Sequence, residues 1–307
     1  MSKSRLWKTF LSVLTLVVLC DIMFGWGMNI YRKKYNLPGD YLRIEYLIKN
    51  ANEDMILLSS SVGRNSFIPE IIEDSLSITC FNGGCNSQTT PFFLCMMDRI
   101  LSRYTPKYFV LVFRPNELTG KDLERIDMLN PYYQKESKEM DYYIKEANGK
   151  ASLFLISNLY KYNTIWWRIL LTKFFRDKEL SNKGFVSHSS PKIYPTFVDE
   201  SDNILSEVNK ERADSFIKMI EMCENAGVKL VVTIPPVYKK LPDSPNDMDV
   251  IEKICKENNV AFFNYSQDSS FVKAPELFHD NIHLLFSGAE TITNIFIKDI
   301  VNEFGEN

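Results

Sequence analysis

The pattern of apolar and polar positions opens with an almost uninterrupted apolar run, FLSVLTLVVLCDIMFGWGMNIY, from Phe10 to Tyr31. A helix needs about 20 such residues to cross a bilayer, so residues 1–34 read as a short tail followed by a transmembrane anchor. Three alternatives fit less well. A cleaved signal peptide asks for an A-x-A-like site after the run, and none follows. A lipoprotein site at Cys20 asks for a small residue before it, where Leu19 stands. A buried soluble helix would accommodate Asp21, which is costly in lipid, unless that residue meets a partner group. The anchor's surface is expected to face lipid and to pack little against the rest of the chain.

Beyond the anchor, residues 35–307 read as one α/β domain. Residues 35–50 predict a helix with Tyr41, Ile44, Leu47 and Ile48 on one face. Strand-like runs follow at 55–58, 77–81 and 108–113, with a helix at 90–104 whose inner stripe is Phe93, Met96, Met97, Ile100 and Leu101. The alternation pauses in a helical, aromatic insertion at about 118–200. It resumes with a helix at 203–226 closed by Gly227, a strand at 229–234, a helix at 247–258, a strand at 260–265 and a last helix at 287–304. Ser287 and Glu290 have the spacing of a capping box at the start of that helix. Strands separated by helices predict a doubly wound parallel sheet.

Composition narrows the function classes. The 307 residues carry 45% hydrophobic residues and a net charge of −3, with no basic stripe of the kind nucleic-acid binding requires. The six cysteines lack C-x-x-C spacing and only three histidines are present, so neither a metal site nor a cofactor is expected. Cys80 and Cys85 can in principle bridge a loop, but separate buried thiols are the preferred reading. Lys3, Arg5 and Lys8 before the anchor favour a cytoplasmic N-terminus, although Arg32, Lys33 and Lys34 follow it.

Ligands of open α/β sheets gather at the C-terminal ends of strands, and three such ends carry polar or glycine-rich turns: Ser59-Ser60-Ser61, Asn82-Gly83-Gly84 and Arg114-Pro115-Asn116. Asp280-Asn281-Ile282-His283 stands just before the final helix. Each has an ordinary structural explanation: a solvated turn at the serines, a turn of positive φ at the glycines, a helix N-cap at Asn116, a structural histidine at 283. Their order is more specific. Serine, glycine, asparagine and D-x-x-H in this succession resemble the SGNH (GDSL-like) hydrolase family over residues 54–303.

That resemblance implies a flavodoxin-like three-layer α/β fold and a Ser61, Asp280, His283 triad. It implies an oxyanion hole from the N–H groups of Ser61 and Gly84 (Gly83 being the alternative) and the amide of Asn116. Ser59 departs from the family's glycine, and Val62 from the arginine of many anchored relatives. Such relatives resemble accessory proteins of cell-surface polysaccharide acylation. The implied activity is an extracytoplasmic O-acyl esterase or acyltransferase on a cell-envelope glycan, with a membrane-bound acyltransferase as partner. The alternative is a catalytically degenerate accessory that binds a glycan or that partner. Tyr132, Tyr133, Tyr160, Tyr162, Trp166 and Trp167 in the insertion suit a sugar-stacking surface, a membrane-facing surface or a core. His188 and His279 receive no role.

Overall fold

The computed structural model describes residues 3–34, 37, 39–120, 123, 125–163, 165–171, 180–192, 195–201, 207–242 and 247–305. It divides into two compact units, one of Met1–Tyr41 with Ile126–Asp177 and one of Leu42–Arg125 with Lys178–Asn307.

The second unit is built on a five-stranded, all-parallel sheet. In chain order its elements begin with helix α2 (Asp40–Lys49), strand β1 (Met55–Ser59), the single turn α3 (Ser61–Arg64) and α4 (Pro69–Leu76). β2 (Cys80–Asn82), α5 (Thr90–Leu101) and β3 (Tyr108–Val112) follow. After a two-residue strand β4 (Val198–Asp199) come α9 (Lys210–Ala226), β5 (Lys229–Ile234), the short β6 (Lys239–Lys240), α10 (Asp247–Glu257) and β7 (Ala261–Asn264). The short α11 (Ser269–Val272) and the long α12 (Phe286–Phe304) close it. The sheet order is β2-β1-β3-β5-β7, which places the switch point between β1 and β3, where doubly wound sheets bind ligands.

Strand side chains alternate between two helical layers, as a period of two requires. Met55, Leu57, Tyr108, Val110, Val112 and Val231 enter one core with Ile72 of α4 and Ile292, Phe296 and Ile300 of α12. On the other face Phe113, just past β3, meets Phe93 of α5 at 6.5 Å and Phe216 of α9 at 5.1 Å between ring centres. The α/β, doubly wound arrangement is therefore as the alternation of strands and helices predicts.

Several boundaries differ from expectation. The run at 77–81 is a strand only from Cys80, because Ser77 is left-handed at φ 53° and ends α4. That helix was not anticipated, although Pro69 at its first position is a start signal. The helix expected at 203–226 begins at Lys210, with Asn209 accepting from Arg212 N–H as its cap; residues 202–206 lie outside the described residues. The capping box at Ser287 does not form. α12 starts one residue earlier, with Leu285 as an N-cap that makes no side-chain bond, so Ser287 is already inside the first turn. All six cysteines are free thiols, and five of them are buried.

In the first unit, α1 (Lys3–Lys34) is one continuous helix, long and apolar enough to cross a membrane. The insertion supplies a 3-10 turn at Ile126–Tyr132, α6 (Lys138–Asn148), a second 3-10 segment at Gly149–Ile156, α7 (Asn158–Lys161) and α8 (Trp166–Leu171). Contrary to the expectation of little packing, the C-terminal half of α1 is engaged. Asp21 accepts hydrogen bonds from Ser157 Oγ (2.6 Å) and from the N–H groups of Asn158 (3.0 Å) and Leu159 (2.8 Å), and Gly25 and Met28 are buried.

Candidate active site

The site forms where β1 ends. Ser60 is still extended (φ −80°, ψ −164°) and α3 begins at Ser61, so the chain turns sharply and the Ser61 side chain comes out at the strand tip. Among the described residues the Ser61 N–H has no acceptor, as is usual for the first turn of a helix. The hydroxyl of Ser60 is buried without a hydrogen-bond partner, while that of Ser61 lies 2.9 Å from His283 Nε2. The register that places Ser61 opposite the imidazole is thus the one the backbone adopts.

His283 sits on the tight turn before α12, closed by an isolated antiparallel bridge between Phe278 and Leu284. Asp280 organises this turn. One carboxylate oxygen accepts from the N–H groups of Ile282 (3.0 Å) and His283 (2.9 Å), and the two oxygens lie 3.0 and 2.9 Å from His283 Nδ1. Burial alone would raise the Asp280 carboxyl. The bond to the His283 ring and the two backbone N–H groups outweigh it and hold the group well below the usual carboxylate range. An ionised carboxylate only accepts, so His283 carries its proton on Nδ1. Its Nε2 lone pair then accepts from the Ser61 hydroxyl.

The two other predicted donors are less directly placed. Beyond β2 the chain continues alongside β1: Gly83 N–H bonds Leu57 O at 2.8 Å and Cys85 N–H bonds Ser59 O at 2.9 Å. Gly84 N–H therefore points off the ladder, and it is held by Asn82 Oδ1 at 3.1 Å. Neither glycine has positive φ, so the turn explanation fails. Glycine is required at 84 by close approach, since an added Cβ would lie 2.4 Å from Ser59 Oγ and 2.9 Å from Arg64 N. Asn116 is left-handed at φ 67° and exposed, rather than a helix cap.

The backbone around Asn116 is clamped by Asp247, which accepts from the N–H groups of Asn116 (3.0 Å) and Leu118 (3.1 Å). Arg212 bonds the Glu117 carbonyl at 3.0 Å. Burial pushes the Glu117 carboxyl up to about 7, against the opposing charges of Arg114 and Arg212. No described hydrogen bond joins Asn116 or Gly84 to Ser61.

Ser59 is accommodated without left-handed backbone. Its side chain fills space that two neighbours leave open, because a Cβ on Gly63 would lie 2.4 Å from Ser59 Cβ and one on Gly84 would meet the same hydroxyl. A serine at 59, where the resemblance implied glycine, is thus matched by glycines at 63 and 84.

Histidine is where sequence reasoning fell short. All three histidines of the chain converge here: His188 stacks on His279 at 3.9 Å and stands edge-on to His283 at 6.2 Å between ring centres. Burial, then the neighbouring His279 and His283, push His188 down to about 4, so it is neutral at pH 7. The strap that carries it is stitched in place on both sides. Val186 N–H bonds Arg64 O at 3.2 Å, and Phe286 N–H bonds His188 O at 3.0 Å. Among the described residues no group of His, Cys, Asp and Glu is arranged to hold a metal ion.

No family model and no curated protein matches this sequence. Solved structures do show likeness. A candidate acylhydrolase from Bacteroides fragilis aligns at 12% identity over 87% of this chain and 91% of that one, with a TM-score of 0.39. An alpha/beta hydrolase enzyme from the metagenome of Lake Arreo, Spain, aligns at 11% identity over 82% and 97%, also at 0.39. A gut microbial diltiazem-metabolizing enzyme aligns at 17% over 81% of this chain and 46% of its own, at 0.32. At such scores the chemistry of the site stands on its own geometry.

Proposed function

We propose that this chain is a membrane-anchored serine O-acyl esterase or acyltransferase of the SGNH type, acting outside the cytoplasm on a cell-envelope glycan. The observation that carries the reading is the relay from Asp280 through His283 to Ser61, with a contact of 2.9 Å at the serine. A serine hydroxyl becomes a useful nucleophile when a positioned base takes its proton. In this reading Ser61 Oγ attacks the acyl carbonyl while its proton passes to His283 Nε2. Asp280 stabilises the imidazolium and holds its orientation. His283 then protonates the departing alkoxide, leaving an acyl group on Ser61. Water or a sugar hydroxyl, deprotonated by the same imidazole, releases it.

Ser61 N–H, Gly84 N–H and the Asn116 carboxamide are the proposed oxyanion donors. Each such donor is worth about 3 kcal/mol of barrier. Gly84 must share or exchange its bond to Asn82 as negative charge develops. The orientation rests on Lys3, Arg5 and Lys8 in the first turns of α1 and on the family resemblance, which also supplies the glycan and the partner acyltransferase.

The held Gly84 N–H also favours a second reading, a non-catalytic accessory that retains the fold and binds a glycan or a partner acyltransferase. A fluorophosphonate serine probe separates the two. The esterase reading expects one covalent adduct on Ser61 of the full-length protein, lost in Ser61→Ala. The accessory reading expects none.

A further inference from the structure

We infer that residues 153–163 and 165–171 of the insertion form a second membrane contact, bedded among lipid acyl chains alongside the C-terminal half of α1. The inference rests on α1 being a transmembrane span and adds to it a re-entrant segment held at a defined depth.

The depth is set by contacts within the first unit. Asp21 of α1 holds Ser157, Asn158 and Leu159, and Gly25 leaves room for the Asn158 side chain, which an added Cβ would meet at 2.3 Å. Further along α1, Asn29 meets Tyr162 OH at 3.2 Å, and Tyr31 OH donates to Leu170 O at 2.8 Å. The segment therefore follows α1 from Asp21 to Tyr31, about 15 Å at the rise of an α-helix. Lys8 and Arg32 lie about 36 Å apart along the helix, enough to bracket a hydrocarbon layer about 30 Å thick, and Asp21 lies well inside it. The mutual satisfaction is what such a depth requires: Asp21 gains donors, and two backbone N–H groups that would cost several kcal/mol each in lipid gain an acceptor.

Side-chain chemistry follows the same gradient. At the level of Asp21 the exposed residues are Leu153 (77%), Phe154 (60%) and Ile156 (88%). Toward the Tyr31 end the exposed residues include Trp166, Trp167, Leu170 and Leu171, with Arg168 5.2 Å above the Trp167 ring. An exposed face that is apolar beside Asp21 and mixes Trp and Arg with leucine only toward Tyr31 fits a bilayer core and its headgroup boundary. A water-soluble partner has no access to a face lying beside the middle of a membrane helix, so lipid is the occupant.

The test uses full-length protein in vesicles of phosphatidylethanolamine and phosphatidylglycerol. Cys20, the exposed thiol, is replaced by serine, and nitroxide labels are placed singly through Leu153→Cys, Ile156→Cys, Leu16→Cys in α1 and Lys298→Cys in α12. The expected result is that labels at 153 and 156 behave like that at 16, relaxed by oxygen and shielded from a water-soluble nickel chelate. The label at 298 is open to the chelate. Chelate access at 153 and 156 with shielding at 16 overturns the inference and leaves the anchor intact. Chelate access at 16 as well removes the anchor itself. Shielding of 153 and 156 from oxygen and chelate alike means a protein contact, which also overturns the inference.

Discussion

Ser59 and Glu117 show how single buried groups shape the site without touching a substrate. Ser59 sits where the resemblance led us to expect glycine, yet its side chain packs into space left by Gly63 and Gly84. Ser59→Gly therefore empties packed volume and adds backbone freedom at a strand end. The expected outcome is a loss of about 1 kcal/mol, measured by thermal unfolding in detergent, with no gain in activity. Glu117 has a folded carboxyl pushed up to about 7, above its ordinary value near 4.3. Between those values the folded state binds more proton than the unfolded state, so stability falls as pH rises through about 4.3 to 7. Glu117→Gln removes that proton linkage and should flatten the decline, read by unfolding temperatures at pH 5 and pH 7.5. At this scale the sequence singled out Ser61, Asp280 and His283, which the structure brings within hydrogen-bond distance of one another, because strand ends and a D-x-x-H turn are local signals. It did not disclose His188, which reaches His283 through the strap at 180–192, a tertiary placement that no local spacing encodes.

Among the elements, strands and long helices were legible from periodicity, as was the Gly227 cap of α9, while short helices and some helix starts were not. α4 escaped notice because eight residues give barely two turns of pattern. The start of α12 was misplaced because a Ser-x-x-Glu spacing carries no information about which residue leaves the sheet side of the turn. The engaged face of α1 was hidden for a different reason, since Asp21 alone is ambiguous until its partners in the insertion are known. Those partners make an expectation. Asp21→Ala strands the N–H groups of Asn158 and Leu159, each worth about 1–3 kcal/mol when buried and unpaired. The insertion around residues 150–171 should then become susceptible to limited proteolysis in detergent, while the sheet unit resists. Equal resistance of mutant and wild type would mean that Asp21 does not hold the segment.

For the whole molecule, the order β2-β1-β3-β5-β7 puts the tip of β1 beside the switch point, and the turn before α12 brings His283 and Asp280 to the same place. That convergence was predictable in outline, because α/β sheets collect function at strand ends, but its distances were not. The central claim is that this convergence is a working acyl-transfer site, and kinetics alone would leave contaminants as an objection. The most direct measurement is intact mass of the full-length protein after exposure to a fluorophosphonate, followed by peptide mapping. A single adduct on Ser61, absent in Ser61→Ala and slowed at least about 10³-fold in His283→Ala, is the predicted result. A natively folded protein that acquires no adduct, or acquires it on another serine while Ser61 stays free, would contradict it.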